Sequence, residues 1–171
     1  MAAIPTLETE RLILRGPTST DHADLCTMFC DPEVTRHVGG APLTSEEVWA
    51  RVLRYIGHWQ LFGFGTWIVR DRAGAFVGEV GMFDYRRVIS TALDVPEVGW
   101  GLAHAQQGKG YATEAVQAML SWGDEHFDRQ PMSCIIDPGN ARSLRLAERC
   151  GFREITRATY KDAPIIVLRR D

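Results

Sequence analysis

Apolar residues recur along this chain with two different spacings, and the changes between them outline a series of strands and helices. The segment Leu7-Glu8-Thr9-Glu10-Arg11-Leu12-Ile13-Leu14-Arg15 ends in a strand-like run. Thr20 then reads as a helix cap, with Asp21 and Asp24 in the first turn and Leu25, Met28 and Phe29 on one face. Thr44-Ser45-Glu46-Glu47 is a capping box, in which hydroxyl and carboxylate each take a backbone N–H of the other. The helix it opens repeats Val48, Val52, Tyr55, Ile56 and Trp59 and stops near Gly63.

The spacing then changes to that of strands. Thr66 to Arg70 and Ala75 to Tyr85 form two arms around the turn Asp71-Arg72-Ala73-Gly74. Pro96-Glu97-Val98-Gly99-Trp100-Gly101-Leu102 reads as a further strand, whose glycines suggest a bulge or a close approach by ligand backbone. From Tyr111 to Phe127 the helical period returns through Ala112, Ala115, Val116, Met119, Leu120 and Gly123. Met132 to Ile136 is a short buried strand, and Asn140 caps a helix that runs to Cys150 and stops at Gly151. Ile155 to Ala158 and Ile165 to Arg169 close the pattern as a hairpin. Strands and helices alternating around one sheet predict a mixed α/β (α+β) domain spanning residues 1–171.

Composition narrows the function classes. The 171 residues are 45% hydrophobic and 24% charged, the profile of an ordinary globule. A net charge of −3 offers no general attraction to nucleic acid or anionic membrane, and no apolar run is long enough to span a bilayer. Met1-Ala2-Ala3-Ile4-Pro5-Thr6 has neither the basic region nor the apolar core of a secretory signal. Cys26, Cys30, Cys134 and Cys150 are scattered, which reads as buried thiols in a reducing cytoplasm. Cys26 and Cys30 have helical spacing with His22 and His37 in reach of the sequence, but a zinc site needs more ligands close by, so no metal is expected.

Candidate chemistry lies in Gln107-Gly108-Lys109-Gly110-Tyr111-Ala112, followed by Thr113-Glu114-Ala115-Val116. Two glycines flank a lysine and open directly into a helix. Amides at a helix start have no intrahelical acceptor, and the helix dipole adds about half a positive charge there, so the stretch suits a phosphate or diphosphate. A tight turn explains the glycines equally well when they are seen alone. A dinucleotide fold fits poorly, because the third glycine is missing and no strand ends just before the loop. A P-loop fails because Gly-Lys is not followed by Ser or Thr.

Taken in order, strand Glu97–Leu102, the loop from Gln107 to Ala112, Asp137-Pro138-Gly139-Asn140 and a helix ending in Cys150-Gly151-Phe152 resemble the GCN5-related N-acetyltransferase (GNAT) superfamily. Its phosphate loop, Gln/Arg-x-x-Gly-x-Gly/Ala, is matched by Gln107, Gly110 and Ala112. The opening Leu7–Arg15 segment and Gly-Trp-Gly-Leu resemble the branch containing ribosomal-protein alanine N-acetyltransferases. The resemblance implies a central, twisted, mostly antiparallel sheet, splayed at the cofactor strands and flanked by about four helices. It implies acetyl-CoA as co-substrate and a primary amine, a peptide N-terminus or a small molecule, as acceptor. It also allows a homodimer.

On that resemblance, amides from Gly108 to Ala112 and Thr113 hold the diphosphate and Lys109 adds charge at the rim. The pantetheine arm adds to the edge of Val98, Gly99, Trp100, Gly101 and Leu102. A backbone N–H of Val98 or Gly99 stabilises the oxyanion. Asn140 contacts the arm or a water beside it. An ammonium must lose a proton before attacking a thioester, and Glu97 is the first candidate base, with Glu79, Asp84, Asp94 and His104 behind it. The superfamily's common tyrosine acid is absent, its place being taken by Ala147, so Ser143 becomes the candidate acid, with Tyr111 and Tyr160 as fallbacks. That absence also keeps open a non-catalytic acyl-CoA-binding module. His37-Val38-Gly39-Gly40-Ala41-Pro42-Leu43 and Arg86 to Asp94 are expected on the acceptor side, with Trp59, Phe62, Phe64 and Trp67 as apolar walls.

Overall fold

In a computed structural model that describes residues 3–89 and 93–171, eight strands form one sheet in the order β1-β2-β3-β4-β5-β6-β8-β7. The strands are β1 (Leu7–Glu8), β2 (Leu12–Arg15), β3 (Thr66–Asp71), β4 (Phe76–Phe83), β5 (Glu97–Leu102), β6 (Met132–Ile136), β7 (Arg153–Tyr160) and β8 (Ala163–Arg170). The helices are α1 (His22–Phe29), α2 (Pro32–Thr35), α3 (Ser45–Phe62), α4 (Tyr111–His126) and α5 (Ala141–Arg149). The first two residues of the N-terminal reading, and residues 90–92 of the expected acceptor segment, lie outside the described residues.

Every neighbouring pair of strands is antiparallel except β5 and β6. Those two run parallel and share one register pair, Glu97 with Ser133, supported by a 3.0 Å bond from Ser133 N–H to Pro96 O. Beyond that point β6 is held by β8 and β5 by β4, so the two strands part. The splay leaves one backbone edge of β5 unpaired from Val98 onward, and an unpaired edge is a template for further main-chain hydrogen bonds.

Two apolar clusters sandwich the sheet. On one side α4 lays Ala115, Val116, Met119 and Leu120 on Val80, Met82, Val98 and Met132. Gly123 makes that approach possible, since a Cβ there would collide with the Met82 and Met132 methyl groups. On the other side α1 and α3 bury Leu25, Met28, Phe29, Val48, Val52 and Tyr55 against Ile68. Each fully buried Leu, Val or Met contributes roughly 1.5–3 kcal/mol.

Most element ends follow their local chemistry. Thr44 caps α3 in the expected capping box, and Gly63 ends it at φ 74°. Asn140 caps α5 by accepting from Ser143 N–H at 3.1 Å. The first helix differs from expectation. A short 3₁₀ turn, Ser19–Asp21, precedes α1, and Thr18 rather than Thr20 forms its capping box. Asp21 points inward instead, where Arg15 and Arg70 bind its buried carboxylate. A short further helix, α2, is capped by Asp31 with Pro32 in its first turn and has no counterpart among the elements expected from the sequence. Trp59 and Trp67 do not wall a site. They are 5% and 0% exposed and meet edge-to-face at 4.7 Å within the α4-side core. Cys30 is exposed, unlike the buried Cys134 and Cys150.

Candidate active site

The strand β5 runs into a 3₁₀ turn, His104–Gln106, and then into the glycine loop that opens α4. Gly108 and Gly110 adopt φ values of 79° and 82°, which an L side chain takes only with strain. The six amides from Gly108 to Thr113 donate to no acceptor among the described residues, and the first backbone bond of α4 is Glu114 N–H to Gly110 O. The loop is held from outside. The Gln107 side-chain amide donates to Leu102 O at 3.3 Å and accepts from Arg142 Nη1 at 2.8 Å, tying β5 to α5. Lys109 turns its ammonium to Gln106 Oε1 at 2.8 Å.

These elements line a groove of about 890 Å³. Of the expected cofactor residues, Trp100, Leu102, Gln107, Gly108, Gly110, Tyr111, Ala112, Thr113, Asn140 and Ser143 face it. Val98, Gly99 and Lys109 do not. The Val98 side chain enters the α4-side core, and the Phe83 ring packs over Gly99. On the far wall, the Trp100 indole N–H donates to Ser143 Oγ at 3.3 Å.

His37 and Val38 face the groove, as expected of the acceptor side, while Arg142, Arg145 and Arg149 from α5 and Arg36 from the segment after α2 face it without having been expected there. The i, i+3, i+7 spacing of the three arginines marks one helix face, and that pattern was available in the sequence. His37 Nδ1 lies 2.6 Å from Asp137 Oδ2, a bridge across one hundred residues that joins the α2 segment to the start of α5. This bond, with Gly139 N–H donating to the other Asp137 oxygen, keeps the Asp137 carboxyl below its ordinary range.

Glu97 does not line the groove. It stands where β5 and β6 part, 4% exposed, with Oε2 2.6 Å from Arg87 Nε. Arg87 also donates to the Tyr160 hydroxyl at 3.0 Å. Burial pushes the Glu97 carboxyl up, and the Arg87 pair only partly opposes this. Glu79 faces α3, where Tyr55 donates to its Oε1 at 2.7 Å and Arg51 donates to Tyr55 at 2.9 Å. Burial raises the Glu79 and Tyr55 groups as well. Asp84 and Asp94 are exposed, and His104 faces the groove.

His22 approaches Cys26 Sγ at 3.4 Å, but among the described residues no three His, Cys, Asp or Glu side chains converge as metal ligands. No described helix is long and apolar enough to cross a membrane.

A strand splayed from its neighbour, ending in a loop of free amides, defines the GNAT acetyltransferase class, and this chain belongs to that family. The GNAT acetyltransferase domain matches residues 11–153. YkkB of Bacillus subtilis is 32% identical over 99% of this chain and 98% of its own. The structure of a GNAT-family acetyltransferase from Bordetella pertussis superposes with a TM-score of 0.86 at 32% identity, covering 98% of this chain and 99% of that one. RimL, a ribosomal L7/L12 α-N-protein acetyltransferase solved with coenzyme A, shares the fold at a TM-score of 0.80 and 14% identity, with 97% of both chains covered.

Proposed function

We propose that this chain moves the acetyl group of acetyl-CoA to a primary amine by direct attack within a ternary complex, and that residues 1–171 act as one catalytic domain in the cytoplasm. The observation that carries this reading is the row of six unsatisfied amides from Gly108 to Thr113 beside the open edge of β5. Unsatisfied donors at a helix start suit a diphosphate, and the edge suits the amides of a pantetheine arm. Arg142 and Arg145 add positive charge along the same groove.

In this reading Glu97 takes the ammonium proton through water. A carboxyl lifted by burial is better matched to that task than an ordinary one. It must first loosen from Arg87. Ser143 serves the other end of the reaction. Its Oγ accepts from the Trp100 indole, so its single O–H remains free to donate to the departing thiolate. A backbone N–H of Val98 or Gly99 meets the developing oxyanion. The acceptor approaches past His37 and Val38, with peptide N-termini and small amines the two classes to try.

A second reading, an acyl-CoA sensor without turnover, draws on Ala147. This residue is fully buried where the superfamily's common tyrosine acid would stand. One experiment separates the two. Coenzyme A release is measured across a panel of peptides with free N-termini and of small amines, with mass spectrometry of the products. Acceptor-dependent release with an acetylated product is expected. Tight acetyl-CoA binding without release across the panel supports the sensor, and no binding at all removes both.

A further inference from the structure

The Leu7–Arg15 segment lies on the β1–β2 edge, outside the groove lining, yet its polar side chains converge on the start of α4. We propose that Arg11, with Thr9 and Glu114, is a positioning device that holds the Lys109–Gly110 peptide so that its N–H faces outward to the diphosphate. The proposal rests on the acetyl-CoA reading above.

The contacts are dense for a surface site. Glu114 Oε1 accepts from the Thr9 hydroxyl at 2.6 Å and from Arg11 N–H at 2.9 Å. Glu114 Oε2 accepts from Arg11 Nε at 2.7 Å and faces Nη2 at 2.6 Å. The remaining arm of the fork, Arg11 Nη1, donates to Lys109 O at 3.0 Å. The guanidinium lies 4.9 Å from the centre of the Tyr111 ring, over the first residue of the helix.

The geometry of a trans peptide supplies the consequence. C=O and N–H of one peptide unit point in opposite directions. With Lys109 O drawn toward Arg11, the Gly110 N–H is turned away from it. Gly108 and Gly110 flank this residue at positive φ, where little else resists a flip of the peptide. A flip would present a carbonyl oxygen where a phosphate needs a donor. Arg11 also neutralises Glu114, whose carboxylate stands in the first turn of α4 close to the anion site. With Arg11 45% exposed, the ion pair adds little to stability, so its main effect falls on the loop.

The test uses the full chain, with coenzyme A and S-acetyl-pantetheine as probes. The second probe lacks the diphosphate and adenosine. Arg11→Met is expected to weaken coenzyme A roughly tenfold or more, the worth of one charge-assisted bond or anion donor, and to leave S-acetyl-pantetheine within about twofold. Arg11→Lys keeps the charge but loses the fork, and restores only part of the loss. Arg157→Ala removes an exposed ion pair to Glu154 on β7 that does not reach the loop, and should change neither affinity. Should Arg11→Met fold poorly, Glu114→Gln provides the same comparison, with a fall in the coenzyme A to S-acetyl-pantetheine ratio expected. Unchanged coenzyme A affinity in folded Arg11→Met, or equal losses for both probes, overturns the proposal while leaving the acetyl-CoA reading intact. A wild-type chain that binds no coenzyme A overturns both.

Discussion

The two ends of β5 follow opposite rules. At its C-terminal end, from Leu102 into the glycine loop, backbone donors are left without partners and face an open groove. At its N-terminal end the charged groups are satisfied internally, Glu97 by Arg87 and Arg87 by Tyr160. Glu79 is also enclosed, by Tyr55 and Arg51, but less completely, its Oε2 and Arg51 Nε having no hydrogen-bond partner among the described residues. On the proposed reading, the open end presents its donors to an anion as it stands. The closed end holds its candidate base in an ion pair, so proton transfer there requires a contact to break. Cofactor capture should therefore be insensitive to changes that disable the chemistry, and the reverse should also hold.

The largest test is Gly110→Glu. An L side chain at φ 82° costs about 1–2 kcal/mol, and its Cβ would stand 3.3 Å from Arg11 Nη2. A carboxylate beside a bound diphosphate adds like-charge repulsion. Together these should weaken coenzyme A by at least about 100-fold in calorimetry. Wild-type affinity in this variant would mean that the free amides are not the anion site.

The second test acts on the closed end. Glu97→Gln should lower turnover by roughly 100-fold while coenzyme A affinity stays within about twofold. It also strands a largely buried guanidinium, which should cost about 2–3 kcal/mol in denaturant unfolding. Arg87→Met combined with Glu97→Gln separates the two roles, since removing both partners should recover stability without recovering turnover. A double variant that regains turnover would show that Glu97 acts only as the partner of Arg87.

The same contrast governs what the sequence disclosed. The open end was legible because its determinants are local. Gly108, Gly110, the helix start at Tyr111 and the Asn140 cap act through neighbours within a few residues. β6 likewise begins and ends where its apolar run predicts, at Met132 and Ile136. The closed end was obscure because its determinants are distant. Nothing near Glu97 in the chain announces Tyr160, and nothing near His37 announces Asp137. Thr18, Ser19, Thr20 and Asp21 are all able to cap a helix, and Thr18 forms the capping box with Asp21, whose carboxylate is also held by the distant Arg70. Trp59 and Trp67 could line a cavity or fill a core, and side-chain periodicity alone does not distinguish the two.

A third test uses acid. Burial alone would raise the Asp21 carboxyl, but bonds from Arg15, Thr18 and Arg70 outweigh it and hold it down at about 2, from 3.8. A carboxyl with a depressed folded-state value contributes its stability above the unfolded value and loses it as pH falls through the folded one. The contribution, about 2 kcal/mol, should therefore be complete above about pH 4 and disappear toward pH 2. Asp21 anchors the start of α1, on the same side of the sheet as Glu79. Hydrogen exchange near pH 3 should accordingly loosen α1 before α4. Asp21→Asn should flatten the acid slope of unfolding, and an unchanged slope would show that this network is not the acid-sensitive one.

The smallest expected effect falls between the two ends, at Ser143. Its backbone N–H, not its hydroxyl, completes the Asn140 cap, so Ser143→Ala should leave stability within about 0.5 kcal/mol. Its hydroxyl faces the groove with the Trp100 indole as its donor. A thiol such as that of coenzyme A ionises near pH 8.5 and leaves readily, so an acid there should be worth less than one serving a poorer leaving group. A fall in turnover of roughly tenfold is expected, with coenzyme A affinity unchanged. The loss should shrink as pH rises past the thiol's own ionisation, because the departing thiolate then needs no proton. If the loss is instead uniform with pH and accompanied by weaker coenzyme A binding, Ser143 belongs with the proposed cofactor site at the open end of β5 and contributes by contact rather than by proton donation.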